Sequence, residues 1–248
     1  YKFKKLKVLG KFIENVNFKK DINFIPDTVI STHNFEHIED PFKMLKKLSS
    51  VINKDSTVFI EVPDGKAMID NLRFDQIFHQ HYHYFTLKSL KNIARRAGLE
   101  VKSYSLNKKF WGGSLMVAMR KTNKINKKII KSKKIEKKFK KNLNLFKKKY
   151  VSLSKKIKSS KSILGYGAGQ MTPTFAYHLK SNFRKIKYIL DDDKSKNQYF
   201  YPKLIPQIIY AKKIKFDKNK HYLITALDGV VPIKAKLKNL NIKKIISI

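Results

Sequence analysis

Residues Asp27 to Asp40 read DTVISTHNFEHIED, and this stretch sets the fold class. A short β-branched run, Thr28 to Ser31, passes straight into a polar elbow, and Phe42 to Val51 then carries apolar residues at helical spacing. A strand feeding a helix through a polar turn is the unit of an α/β sheet, whose ligand crevice lies at the carboxyl ends of the strands. Ser31 to His37 are therefore placed to touch a ligand. The same residues contain His33, Glu36 and His37 in the order H-x-x-E-H, the inverted zinc-peptidase pattern, which needs a helix to present two imidazoles to a metal and a glutamate to a water. Here a strand precedes His33 directly and Asp40-Pro41 follows soon after, so that helix is poorly supported and no metal is expected.

Working outward, further short apolar runs at Lys7 to Leu9, Thr57 to Val62 and Leu115 to Met119 alternate with helical patterns, the last of them Leu87 to Ala97 with Gly98 at its stop. This predicts a mostly parallel sheet with covering helices over residues 1–122. From 123 to 160 the chain is lysine-rich, with Glu136 its only acidic residue. Ile125, Ile129, Ile135, Phe139, Leu143, Phe146, Tyr150, Leu153 and Ile157 nonetheless fall mostly at intervals of three or four, which predicts a long basic helix burying one face between two domains. Residues 161–248 restart with an apolar run at Ser162 to Leu164, a Gly-rich turn, a helix, and strands at Ile186 to Leu190, Tyr222 to Thr225 and Lys244 to Ile248. They read as a second, small Rossmann-like unit.

The formal net charge of +38 invites a nucleic-acid or membrane-surface reading. Only five of the 56 basic residues are arginine, the side chain whose planar fork reads phosphates and guanine edges. The rest is lysine spread along the chain beside Ile and Asn, which fits a compositional bias, so neither nucleic acid nor membrane is expected as a partner. There is no cysteine, which excludes a thiolate nucleophile and a disulfide. No apolar stretch approaches a membrane span and the charged start is unlike a signal peptide, so a cytoplasmic protein is expected.

Phe74 to Phe85 reads FDQIFHQHYHYF. His79, His81 and His83 alternate, and an extended chain would put all three on one side. Core or loop histidines, a metal site and acid–base work are all compatible with this pattern, and imidazole suits the last because it titrates near neutral pH. Trp111-Gly112-Gly113-Ser114 then precedes an apolar run, as a turn or a close backbone approach would require. Farther on, Gly165, Gly167 and Gly169 follow a strand, with acidic residues about 25 positions later, in a pattern akin to a dinucleotide turn. Gln170 takes the place of the third glycine and Pro173 interrupts early.

Taken in order, DTVIST with NFEHIEDP, VFIEVPD, HQHYHYF, AGLEV and WGGSLMV resemble the S-adenosylmethionine-dependent C-methyltransferases of nucleotide-linked keto sugars. These carry motifs close to Y-H-E-H-x-x-Y-F, G-L-x-V and H-G-G-S-L-R. ILGYGAGQ and YILDDDKSKNQYFYPKLIPQI are similar to the turn and the acidic run of their C-terminal domain. The resemblance implies a deoxysugar-pathway enzyme in which His81 removes the proton α to a sugar ketone and the enolate carbon takes the methyl group. It implies that His79, Gln80 and Tyr84 share the catalytic segment and that Ser31, Asn34 and His37 lie near the methionine part of the cofactor. Phe78, Gly113, Gly165, Tyr166 and Gly167 would lie at the sugar nucleotide. Phe78 and Gln80 stand where the family usually has Tyr and Glu, replacing two titrating groups with two that do not titrate. That departure also admits a catalytically impaired, sugar-nucleotide-binding remnant. Neither a Gly-rich first loop nor a ribose-binding acidic residue occurs before Asp27, so a missing N-terminal part is expected.

Overall fold

A computed structural model describes residues 8–108, 112–126, 128–129 and 132–248, in two compact units. The first comprises residues 1–68 and 79–133, the second residues 69–78 and 134–248.

The first unit begins with helix α1 (Phe18–Asp21), followed by strand β1 (Thr28–Thr32), helix α2 (Pro41–Val51) and strand β2 (Thr57–Pro63). Helix α3 (Gly65–Asp70) runs across the unit boundary, and α4 (Leu87–Arg96) leads to strands β3 (Leu99–Asn107) and β4 (Ser114–Lys121). Sheet order is β1-β2-β4-β3, parallel only between β1 and β2. The mostly parallel sheet expected is thus not formed here: one pairing of three is parallel, because β4 runs antiparallel to both β2 and β3. Local chemistry sets the helix ends. Asp40 accepts from Lys43 N at 2.8 Å to cap α2, while Thr86 and Ser89 cap α4 reciprocally and Gly98 at φ +83° stops it. In β2 every second residue, Val58, Ile60 and Val62, is buried, and these pack with Leu45, Leu90, Leu99, Leu115, Val117 and Met119. The strand expected at Lys7 to Leu9 is absent from its described part, Val8 and Leu9; Lys7 and Trp111 lie outside the described residues.

The second unit is wound around helix α5 (Lys133–Ser159), strand β5 (Ile163–Tyr166), helix α6 (Thr172–His178), strands β6 (Ile186–Asp191), β7 (Gln207–Tyr210) and β8 (His221–Ile224), helix α7 (Val230–Asn239) and strand β9 (Ile245–Ile246). All pairings in its sheet, order β7-β6-β5-β8-β9, are parallel. The order reverses between β5 and β8, the switch point of a doubly wound fold. The basic helix begins at Lys133, eight residues after the first residue of the apolar stripe, Ile125, and its buried face packs within its own unit. Its Phe146, Tyr150, Leu153 and Ile157 lie in one core with Ile163, Phe175, Phe183 and Ile189 of its own unit. Pro173 falls in the first turn of α6, where its missing N–H costs nothing, so it does not interrupt that helix.

A candidate active site at the carboxyl end of β1

Strand β1 ends beside β2, and His33 N donates to Glu61 O at 2.9 Å. His33 adopts φ +47°, a turn conformation that throws the chain into a single 3-10 turn over Phe35–His37. H-x-x-E-H is therefore not presented by a helix, which disposes of the zinc-peptidase arrangement. Phe35 is fully buried against Phe85, with ring centroids 5.2 Å apart, and fixes the turn to the core.

This turn and the histidine segment are stitched together through their backbones. Glu36 O accepts from Tyr82 N at 3.0 Å and His83 N at 3.2 Å. His37 Nδ1 lies 2.7 Å from Gln80 O and His83 Nε2 lies 3.0 Å from Glu39 O. A carbonyl only accepts, so His37 carries a proton on Nδ1, and its Nε2 lies 3.9 Å from Glu36 Oε1. The His37 and His81 ring centroids are 5.0 Å apart, and His81 lies 5.9 Å from the Tyr84 ring.

The three alternating histidines do not share one side. A turn at His79-Gln80 breaks the extended geometry; His81 joins His37 and Tyr84, whereas His83 faces Glu39 and Phe85. Donor atoms of Glu36, His37 and His81 all lie within 4.8 Å of one another. Glu36 is only 1% exposed, and its Oε2 has no hydrogen-bond donor among the described residues. Burial pushes its carboxyl above the usual carboxylate range, against the pull of its own backbone and of the His37 and His33 rings. His33 Nδ1 is 3.6 Å from Glu36 Oε1, and His33 Nε2 is 3.9 Å from Glu61 Oε1, which in turn accepts from Ser114 Oγ at 2.7 Å.

Of the residues expected at the cofactor, Ser31 is half-buried, Asn34 is exposed with no capping bond from its side chain, and His37 is half-buried. All three sit together at the end of β1. Gly113, at φ +121°, accepts from Asp64 N at 2.9 Å, and a Cβ there would stand 2.9 Å from Ala67 Cβ, so packing alone requires glycine. Phe78 belongs to the second unit and is half-buried. Glu36 and Glu61 did not figure among the expected site residues. Glu36 was visible only as the fourth residue of H-x-x-E-H, and its approach to His81 depends on a fold that brings residues 36 and 81 together.

In the second unit Gly165, Tyr166 and Gly167 have internal occupations. A Cβ at Gly165 would lie 2.9 Å from Ile189 Cγ1. The Tyr166 ring is buried, with its hydroxyl bonded to Asp192 at 2.8 Å. The backbone amides of the following turn are also taken: Gly167 N donates to Leu190 O, Ala168 N to Asp191 Oδ2 and Gly169 N to Thr172 Oγ1. Tyr166, expected with Gly165 and Gly167 at the sugar nucleotide, has its ring in the core. A pyrophosphate would likewise meet amides already bonded.

The family described as "Methyltransferase domain" matches residues 7–104, and the family described as "C-methyltransferase C-terminal domain" matches residues 109–244. Over 67 residues the chain is 39% identical to C-methyltransferase NovU of Streptomyces niveus, a match covering 27% of this chain and 16% of that protein. The chain thus spans less than a fifth of the curated relative it matches. Among solved structures, mitomycin 7-O-methyltransferase MmcR is similar at 14% identity, with 40% of this chain and 32% of that chain covered and a TM-score of 0.32. Magnesium protoporphyrin IX methyltransferase ChlM from Synechocystis PCC 6803, determined with bound SAH, is similar at 12% identity, with 45% and 49% covered and a TM-score of 0.34.

Proposed function

The chain belongs to the C-methyltransferase family, and from that premise we propose that it transfers a methyl group from S-adenosylmethionine to the carbon α to the ketone of a nucleotide-linked keto sugar, with His81 as general base. The observation that carries this reading is the convergence of His81, His37 and a buried Glu36 carboxylate at the carboxyl end of β1.

Ser31, Asn34 and His37 fit the cofactor's methionine part, since hydroxyl, amide and imidazole stand at one strand end with the Asn34 amide exposed. When bound, S-adenosylmethionine supplies an electrophilic methyl group, whose carbon–sulfur electron pair stays on sulfur as the new carbon–carbon bond forms. The protein's task is the preceding step. A ring nitrogen of His81 takes the proton from the carbon α to the ketone, and the electron pair left behind delocalises onto the carbonyl oxygen. The Glu36 carboxylate lies beside the nitrogens where positive charge then develops. Tyr84, edge-on to His81, helps hold that ring, and exposed His79 and Gln80 form the rim toward substrate. In the second unit, Gly165, Tyr166 and Gly167 shape the carboxyl end of β5 through packing.

With the keto-sugar nucleotide in heavy water, the protein is expected to exchange the α-proton, and His81→Ala is expected to reduce exchange and methyl transfer by at least about 100-fold while leaving cofactor affinity intact. Undiminished transfer by His81→Ala removes His81 from the chemistry. Phe78 and Gln80 favour a second reading, a sugar-nucleotide-binding protein without turnover, which predicts substrate affinity with neither exchange nor transfer at saturating cofactor.

A further inference from the structure

We propose that Glu36, His37 and His81 form a binding site for one divalent transition-metal ion of the Zn²⁺ or Co²⁺ type. Two imidazoles and a carboxylate are the donor set such borderline ions prefer. The donors are already within 4.8 Å of one another, and bonds of about 2.0–2.1 Å in a tetrahedral shell need separations of roughly 3.3 Å, a closure within reach of side-chain rotation.

Two independent features point to a cation here. Glu36 is buried to 1% exposure, and its Oε2 meets no hydrogen-bond donor among the described residues. A carboxylate so placed is unfavourable unless a positive charge compensates it. His37, moreover, is oriented as metal-binding histidines are: Nδ1–H is anchored on the Gln80 carbonyl at 2.7 Å, and Nε2 is the ring nitrogen that faces Glu36. The backbone bonds from Tyr82 and His83 to Glu36 O hold the two segments in register, so the donors are assembled by the fold before any ion arrives. His33, 3.6 Å from Glu36 Oε1, flanks the fourth position.

The consequence for transfer rests on the function proposed above. A lone pair of His81 that holds a metal cannot also take a proton from substrate, so occupancy and turnover exclude one another and the ion acts as an inhibitor.

The test uses the intact chain, stripped with chelator and titrated with Zn²⁺ alone and with Co²⁺ alone, followed by calorimetry and by the visible Co²⁺ band. One ion per chain is expected, with affinity lowered at least about 100-fold in Glu36→Gln and in His37→Ala and unchanged in His221→Ala of the other unit. His37 is half-buried, so His37→Ala serves should the Glu36 variant fail to fold by circular dichroism. No stoichiometric uptake, or binding by folded Glu36→Gln and His37→Ala as tight as that of the parent, overturns the site. Zn²⁺ is expected to abolish methyl transfer with a midpoint at its dissociation constant. Transfer that instead rises with the ion leaves the metal site standing and removes His81 as the general base, so the two ideas fail separately.

Discussion

Gly167 holds φ at +92°, and a Cβ added there would stand 2.5 Å from Ala226 Cβ and 2.8 Å from Ile233 Cδ1. Left-handed backbone and overpacking each cost roughly 1–3 kcal/mol, so Gly167→Ala is expected to destabilise the protein by about 2–6 kcal/mol. Thermal denaturation checks this, and a melting temperature equal to that of the parent would show that the turn relaxes freely. The residue was singled out in the sequence as part of a ligand-binding turn, but the reason it must be glycine is the neighbouring strand end. Residue scale is also where the site was least legible. Glu36 and His81 are 45 positions apart, and spacing says nothing of a contact made across two loops.

Helix α5 shows how far periodicity reaches along an element. The apolar stripe correctly names Phe146, Tyr150, Leu153 and Ile157 as buried, because a 3.6-residue repeat must place them on one face. It overshoots at the start: Ile125 and Ile129 precede the helix and are more than half exposed. Tyr150 gives a prediction. Its hydroxyl is buried with no hydrogen-bond partner among the described residues, and burial, reinforced by the Asp75 charge against that of Arg73, holds its proton far more tightly than in a free phenol. Tyr150→Phe removes an unsatisfied polar atom and is expected to keep or raise stability by about 1 kcal/mol in denaturant titration; a loss of that size would reveal an undetected partner for the hydroxyl. Strand β3 was not expected at all. LEVKSYSLN has most of its residues exposed, and the strand is held by its backbone ladder to β4, a long-range pairing that leaves no apolar signature.

Charge is a property of the whole molecule. A formal +38 must attract polyanions, but its lysines are dispersed, so attraction without recognition is the expected behaviour. Affinity for mixed-sequence DNA is expected to fall linearly with salt on logarithmic axes and to be the same for unrelated sequences. Fluorescence anisotropy at several salt concentrations measures both, and a sequence preference surviving at physiological salt would make nucleic acid a genuine ligand. No described helix is long and apolar enough to cross a membrane.

The amino-acid sequence by itself determined the elements whose signals are local: the apolar runs that become β1 and β2, the helical spacing of α2 and α4, the Gly98 stop, the buried face of α5, and the order of motifs that marks the family. Those features depend on neighbours within a few residues, and periodicity or capping chemistry reads them directly. Tertiary structure alone decided the antiparallel β3–β4 pair, the assignment of α5 to the second core, the commitment of Tyr166 to packing, and the meeting of Glu36 and His37 with His81. Each of those depends on which distant segments the sheets and backbone hydrogen bonds bring together, and that choice is made by burial summed over a whole unit rather than by any short run of residues.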